Sequence, residues 1–465
     1  MRYQLWIVLG FLLMSRSGVA LPDSTKTAVI RHIFLEGNHK TRAGIIMREL
    51  AVKSGDTVRV HELADILEVD RRKVVNTNLF VTVQFDPEFT GDSSQVDLRL
   101  KLRERWYIFG LPVFQLADRN FNEWWYDRNR DFSRITYGLY GSHNNVSGRN
   151  DKLKVLVELG FVPKYEISYS FPYLDRGMKL GLTAGASYST NKSLAVRTWN
   201  DKLDFLPGES VNRRRFYFFI SPSYRSKFYG YHMLDVRWVN ATVSDTVLIR
   251  NPHYLFGDDT RQRFFQFTYT YSYNKRDIGQ YPLRGYNVVF QASKRGVLPG
   301  DDVNQGYLYG VYRHFLPLGG RFFFNSGVRL RASFPARVPY LNMVGLGYRL
   351  DLVRGYELYV IDGQHYGVLQ NELKFRLFDV VKTIKWLPRQ FGTVPVALYL
   401  NAFADAGYIS NKVPEWSNSR LSNRLLAGTG LGLDLVTFYN LVYRLNYSFS
   451  AEGERRLFFS VAREF

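Results

Sequence analysis

The sequence predicts a mainly β protein: an antiparallel transmembrane β-barrel of about sixteen strands, preceded by one small α+β domain. Three observations carry this reading. A period of two sets in near Arg105 and persists to the end of the chain. The two faces it separates are aromatic-rich and polar, respectively. Residues 27–103, ahead of it, mix strand-like runs with helical spacing.

Residues 1–20 read as a secretory signal peptide. Arg2 precedes an apolar run from Leu5 to Met14, and the small residues Gly18 and Ala20 mark the cleavage site. The run is too short to cross a bilayer comfortably as a helix, so cleavage after Ala20 is expected. No cysteine stands near the cut, which excludes a lipid-anchored signal.

Residues 27–103 form the small domain. AVIRHIFLEGN is strand-like up to the Gly37-Asn38 turn. Thr41 is placed to cap a helix in which Ala43, Ile46 and Leu50 recur at helical spacing. After Gly55-Asp56, Leu63, Leu67, Asp70 and Val74 share one face of a second helix. LFVTVQFDPEF and QVDLRLKLRER then alternate as two strands around Gly91-Asp92, giving the order β-α-α-β-β.

Residues 105–465 form the barrel. In FFQFTYTYSY, Phe265, Phe267, Tyr269, Tyr271 and Tyr273 point one way, while Gln266, Thr268, Thr270 and Ser272 point the other. YEISYSF (165–171) and VYRLNYSFS (442–450) repeat the pattern. An aromatic face toward lipid and a polar face toward water is the alternation of a membrane barrel. Such segments begin near residues 105, 134, 151, 164, 178, 213, 231, 261, 284, 304, 320, 366, 394, 425, 439 and 455. An even number lets antiparallel strands close without an exposed edge. Residues 189–212, 243–260 and 334–365 are expected as long outer loops, and FVPK (161–164) and PLGG (317–320) as short periplasmic turns. The ending RRLFFSVAREF puts Leu457, Phe459, Val461 and Phe465 on one face. Phe459, Val461 and Phe465 form the kind of terminal-strand signal that outer-membrane assembly machinery reads. Arg463 interrupts that apolar row.

Composition narrows the function. Cysteine is absent, which excludes disulfides and thiolate-bound metal. Lys and Arg number 62 against 42 Asp and Glu, a net charge of +20 spread along the chain and not gathered in one stripe. Nucleic-acid binding is therefore not expected; a basic barrel interior or contact with anionic lipid headgroups accounts for the charge. The eight histidines lack the spacing of a helical metal pair, and there is no G-x-S-x-G elbow and no P-loop. GTGLGLD (428–434) lacks the helix that must follow a dinucleotide loop. No catalytic residue, cofactor or metal ligand is expected, and the chain does not read as an enzyme.

Together these elements resemble the BamA/TamA superfamily of outer-membrane assembly proteins, whose periplasmic modules are called POTRA domains. In the small domain the resemblance rests on IFLEGNHKT (33–41), SGDTV (54–58) and NLFVTVQF (78–85). In the barrel it rests on six ordered motifs: GSHNNVSGRNDKLKV (141–155), YSFPYLDRGMKLGL (169–182), YNKRDIGQYPLRGYNVVF (273–290), GLGYRLDLVRGY (345–356), NELKFRL (371–377) and LNAFADAGYI (400–409).

The resemblance implies an outer-membrane location with a single POTRA-like domain in the periplasm, fewer than the major assembly proteins carry. It implies assembly, insertion or translocation of other proteins, with client strands received at the POTRA edge and at the seam between the first and last barrel strands. The implied partners are unfolded outer-membrane protein clients, outer-membrane lipids and accessory periplasmic proteins. A two-partner-type secretion transporter and a passive pore or surface antigen remain as alternatives; Leu21 to Thr27 is too short for the plug helix of the former. The resemblance also makes Val353, Arg354, Gly355 and Tyr356 the tip of an outer loop folded into the lumen, with Glu372 and Asp405 as acidic partners of Arg354. Parity points the same way: Leu369, Leu373 and Phe375 face out, leaving Glu372 inward, and Leu400, Ala402 and Ala404 face out, leaving Asp405 inward.

Overall fold

The computed structural model describes residues 26–91, 94–175, 177, 179–208, 210–256, 259–279, 281–348, 351–383, 393–437 and 441–462. The expected signal peptide, Arg463 and Phe465 lie outside these. The chain divides into two units: residues 1–107 with 144–150, and residues 108–143 with 151–465.

The first unit contains strands β1 (Thr27–Glu36), β2 (Thr57–Arg59), β3 (Phe80–Phe89) and β4 (Gln95–Glu104), with helices α1 (Ala43–Met47) and α2 (Val60–Asn76). The sheet order is β2-β1-β4-β3, in which β1 and β4 are parallel. Leu63, Leu67, Asp70 and Val74 are the buried face of α2, and the core also takes Ala28, Ile30, Val96, Leu98 and Leu100. The order is β-α-β-α-β-β: β2 is three residues long, too short to show an alternation in the sequence. Thr41 does not cap α1, whose N-cap is Arg42. The Thr41 hydroxyl instead meets Tyr107 Oη at 2.9 Å and accepts from Asn145 Nδ2 at 2.9 Å.

The second unit is a sixteen-stranded antiparallel sheet. Its strands are β5 (Ile108–Leu116), β6 (Ile135–Asn144), β7 (Lys152–Gly160), β8 (Lys164–Phe171), β9 (Leu180–Asn191), β12 (Arg213–Arg225), β13 (Gly230–Val243), β14 (Arg261–Asn274), β15 (Gly285–Arg295), β16 (Gln305–Gly319), β17 (Phe322–Phe334), β18 (His365–Thr383), β19 (Thr393–Ser410), β20 (Leu425–Thr437), β21 (Leu441–Ser450) and β22 (Arg455–Ala462). Every strand begins within three residues of the start expected from alternation. A separate hairpin, β10 (Leu194–Trp199) with β11 (Lys202–Leu206), sits in the β9–β12 connection, and helices α3 (Phe121–Tyr126) and α4 (Asp245–Arg250) sit in two others.

Successive strands reverse direction, so connections fall alternately at the two ends of the sheet. The long connections after β5, β9, β13, β17 and β19 share one end. Residues 161–163, between β7 and β8, lie at that same end, opposite the Gly319–Gly320 turn between β16 and β17. FVPK is thus not beside PLGG, because the end a turn occupies is set by the number of strands before it and not by its length. One face of the sheet exposes large apolar side chains such as Ile220, Leu330 and Leu431, and the other buries Thr268, Thr270, Asn401 and Asp405. Among the described residues no backbone ladder joins β5 to β22, and no helix is long and apolar enough to cross a membrane.

Candidate functional site

The connection between β17 and β18, residues 335–364, lies against the buried face of the sheet. Its apolar contacts are Leu346, Val353, Tyr356, Tyr359 and Ile361, packed on Tyr366, Val368, Ile409 and Leu426. Gly428 of β20 comes so close that a Cβ there would stand 1.7 Å from the Arg354 carbonyl oxygen. The turn itself needs Gly355, whose φ of +97° is the left-handed region that side chains disfavour.

Arg354 is fixed from several directions. Its Nε donates to Asp405 Oδ2 at 2.8 Å and its Nη2 to Asp405 Oδ1 at 2.6 Å. The backbone N–H of Arg354 also donates to Asp405 Oδ2, at 3.1 Å. Nη2 reaches the Asn371 carbonyl at 3.2 Å, and Nη1 stands 3.6 Å from Glu372 Oε1. The guanidinium carbon lies 4.0 Å from the centre of the Phe403 ring. The fork on Asp405 is a geometry that lysine cannot reproduce. Glu372 is the looser contact, shared with Lys374 Nζ at 3.3 Å.

Neighbouring side chains extend the network. Lys374 lies 3.7 Å above the Tyr281 ring and 3.7 Å from Asp434 Oδ2, to which Tyr281 Oη donates at 2.8 Å. Asp351, earlier in the loop, is held by Arg329 Nε at 3.2 Å and by the hydroxyls of Tyr309 and Tyr366 at 2.9 and 2.7 Å. The sequence gives no separate role to Asp434, which ends the glycine-rich run 428–434, or to Asp351, which lies within GLGYRLDLVRGY.

A second constellation concerns the edge of β22. Asn122, on α3, donates from Nδ2 to the Phe459 carbonyl at 3.2 Å and accepts from the Phe459 N–H on Oδ1 at 2.9 Å. Tyr126 Oη donates to the Leu457 carbonyl at 3.1 Å, and the Phe121 ring meets the Phe459 ring edge-on at 5.5 Å. Side chains thus serve two residues of an edge that, among the described residues, no strand pairs. Val461 is exposed on the apolar face.

The same short segment also grips the loop. Arg119 Nη1 donates to the Gly347 and Tyr359 carbonyls at 2.6 and 3.1 Å, and Asn120 Nδ2 to the Glu357 carbonyl at 2.9 Å. Residues 119–126 therefore join the loop to the β22 edge. A sequence signal for α3 exists: Asn120 caps it by accepting from the Glu123 N–H at 2.8 Å, an Asn-x-x-Glu start. Among the described residues no group of His, Cys, Asp or Glu is arranged to hold a metal ion.

The profile of the Omp85 superfamily domain matches residues 145–455. The chain belongs to the Omp85 superfamily. That membership carries the superfamily's general role in transport or assembly at the outer membrane, which is not an enzymatic one, and an outer-membrane location is consistent with it. No curated protein matches the sequence significantly. Among solved structures, this Omp85 chain is similar to BamA from Haemophilus ducreyi lacking POTRA domains 1-3, with 15% identity over 94% of this chain and 85% of that one, at a TM-score of 0.56. It is similar also to CdiB from Escherichia coli, with 14% identity, 93% and 75% coverage and a TM-score of 0.55. CdiB from Acinetobacter baumannii gives 15%, 93% and 73%, with a TM-score of 0.50. At such identities the likeness shows the fold alone.

Proposed function

We propose that this protein is an outer-membrane assembly or translocation factor of the BamA/TamA type. Residues 105–465 form the barrel and residues 27–103 a single periplasmic POTRA-like domain. A client strand adds to the POTRA edge by backbone pairing, which reads little sequence. It then passes to the seam between β5 and β22. The unfolded client, outer-membrane lipids and accessory periplasmic proteins are the partners.

One observation carries this reading: among the described residues, the edge of β22 is served by Asn122 and Tyr126 and not by a strand. A strand edge offers a row of backbone donors and acceptors that template another chain. Three side-chain bonds of about 1 kcal/mol each hold that edge far less firmly than a full ladder. The Arg354–Asp405 fork supports the same reading by keeping the loop inside the lumen, and residues 119–126 connect that loop to the edge.

Depletion of the protein in its host tests the proposal. Broad loss of β-barrel proteins from the outer membrane is expected. Loss of one secreted substrate alone supports the two-partner transporter, and unchanged levels of both support a passive pore.

A further inference from the structure

The inner wall of β12–β17 carries more positive charge than its contacts to the loop and its own carboxylate take up. Residue pairing across the sheet fixes which side chains share this wall. On β12, Arg213 and Arg215 alternate with the exposed Arg214, Phe216 and Phe218. Arg237 of β13 lies over the Tyr217 and Phe219 rings at 4.6 and 5.2 Å, which puts it on the same side. Arg237, Gln266 and Arg295 stand directly opposite one another across β13, β14 and β15. Arg295 donates to the Asn342 carbonyl of the loop, and Arg329 pairs with Asp351 of the loop, so both face the lumen. Arg331 lies 3.9 Å over the Tyr307 ring, and the Arg295 guanidinium lies 5.9 Å from that ring.

Against these arginines, Asp235 is the sole Asp or Glu in the six strands β12–β17. It is engaged by Arg237 Nε at 3.3 Å and by the Ser221 hydroxyl at 2.8 Å. The partners of the others are largely neutral: Arg213 bonds the Asn191 side chain, Arg295 those of Gln266 and Gln305, and Arg331 that of Ser333. The acidic residues of the opposite wall do not offset the excess, since Glu372, Asp405 and Asp434 already hold Arg354 and Lys374. Most of these arginines sit toward the long-loop end of their strands, at the start of β12 and the ends of β15 and β17.

We propose that this wall is an anion-binding surface that makes the lumen anion-selective and takes phosphate groups in particular. Rings of arginine select anions in membrane pores by their field, and low-dielectric walls focus it. Guanidinium forks match the oxygens of a phosphate in a way that ammonium groups do not. Arg215 and Arg331, set beside the Tyr217 and Tyr307 rings with no carboxylate among their described contacts, keep donors for a passing anion. The inference rests on the barrel reading, because the wall must enclose water.

Purified full-length protein in planar lipid bilayers under a potassium chloride gradient provides the test. The reversal potential should report chloride passing in preference to potassium, and millimolar inorganic phosphate should reduce the chloride current. Arg215→Gln combined with Arg331→Gln should bring the permeability ratio toward one and weaken the block by phosphate. Among the described contacts neither arginine holds a carboxylate, so folding is expected to survive; unchanged heat-dependent gel mobility checks this. Arg214→Gln, on the same strand but the opposite face, should leave selectivity as it is. A conducting protein that prefers potassium, or a double variant with unaltered selectivity, overturns the anion surface and leaves the barrel standing. An inserted protein that conducts nothing overturns both.

Discussion

Asn122 meets Phe459 as a neighbouring strand would: one side-chain amide gives a hydrogen bond to the backbone carbonyl and takes another from the backbone N–H. An antiparallel strand residue makes the same paired exchange. The contact fills one ladder position on an edge that, among the described residues, β5 leaves unpaired. Asn122→Ala should therefore leave both groups of Phe459 unserved. Each bond contributes about 1 kcal/mol, so hydrogen exchange at the Phe459 amide should quicken by roughly tenfold, with little change at Leu431 in the body of the sheet.

Arg354 tests the loop anchor. Asp405 is 4% exposed, and removing the partner of a buried ion pair costs about 3–5 kcal/mol. Arg354→Ala should make residues 335–364 open to protease and lower the temperature at which the folded band is lost on gels. Arg354→Lys keeps the charge but loses the fork on Asp405, so it should fall between Ala and the parent. A loop as resistant in the alanine variant as in the parent would show that Arg354 does not hold it.

Gly428 offers the same question without touching a charge. A methyl group there would stand 1.7 Å from the Arg354 carbonyl oxygen, which is backbone and cannot swing aside. Gly428→Ala should therefore release the loop much as Arg354→Ala does. Gly310→Ala, where a Cβ meets nothing within 4 Å, should leave protease resistance unaltered.

The strands were legible because a sheet with one apolar, aromatic face and one polar face imposes a period of two that few other forces disturb. The pattern of Tyr269 and Tyr271 against Thr268 and Thr270 is visible in ten letters. Parity likewise puts Glu372 and Asp405 on the inner side, and the distances from Arg354 are 3.6 and 2.6 Å. It could not rank them, since the fork on Asp405 depends on how deep the loop enters. The β10–β11 hairpin and helices α3 and α4 were not legible, because they lie in connections whose short apolar runs are placed by contacts far along the chain. Asn122 is 337 residues from Phe459, and no local spacing announces such a pair. The side on which FVPK lies follows from counting strands and not from its length.

In the first unit, Asp97 gives a pH prediction. Its hydrogen bond from Arg31, with the His32 ring nitrogen Nδ1 3.4 Å away, holds the carboxyl down at about 2. A carboxyl depressed in the folded state contributes stability above its unfolded value of about 3.9. That contribution is lost as pH falls through about 2. Arg31→Ala should return Asp97 to the ordinary carboxylate range, as read by carboxyl chemical shifts during acid titration. A midpoint that stays near 2 in the variant would assign the depression to another group.

In the proposed function, client strands meet the edge of β22. Photo-reactive residues at Leu457 and at Val461, both on the exposed apolar face, report directly on what approaches that edge in living cells. Adducts with several different unfinished outer-membrane proteins are expected, increased by Asn122→Ala and missing from a probe at Leu431 of β20. Adducts with a single secreted polypeptide, or no adducts from either position, would contradict it.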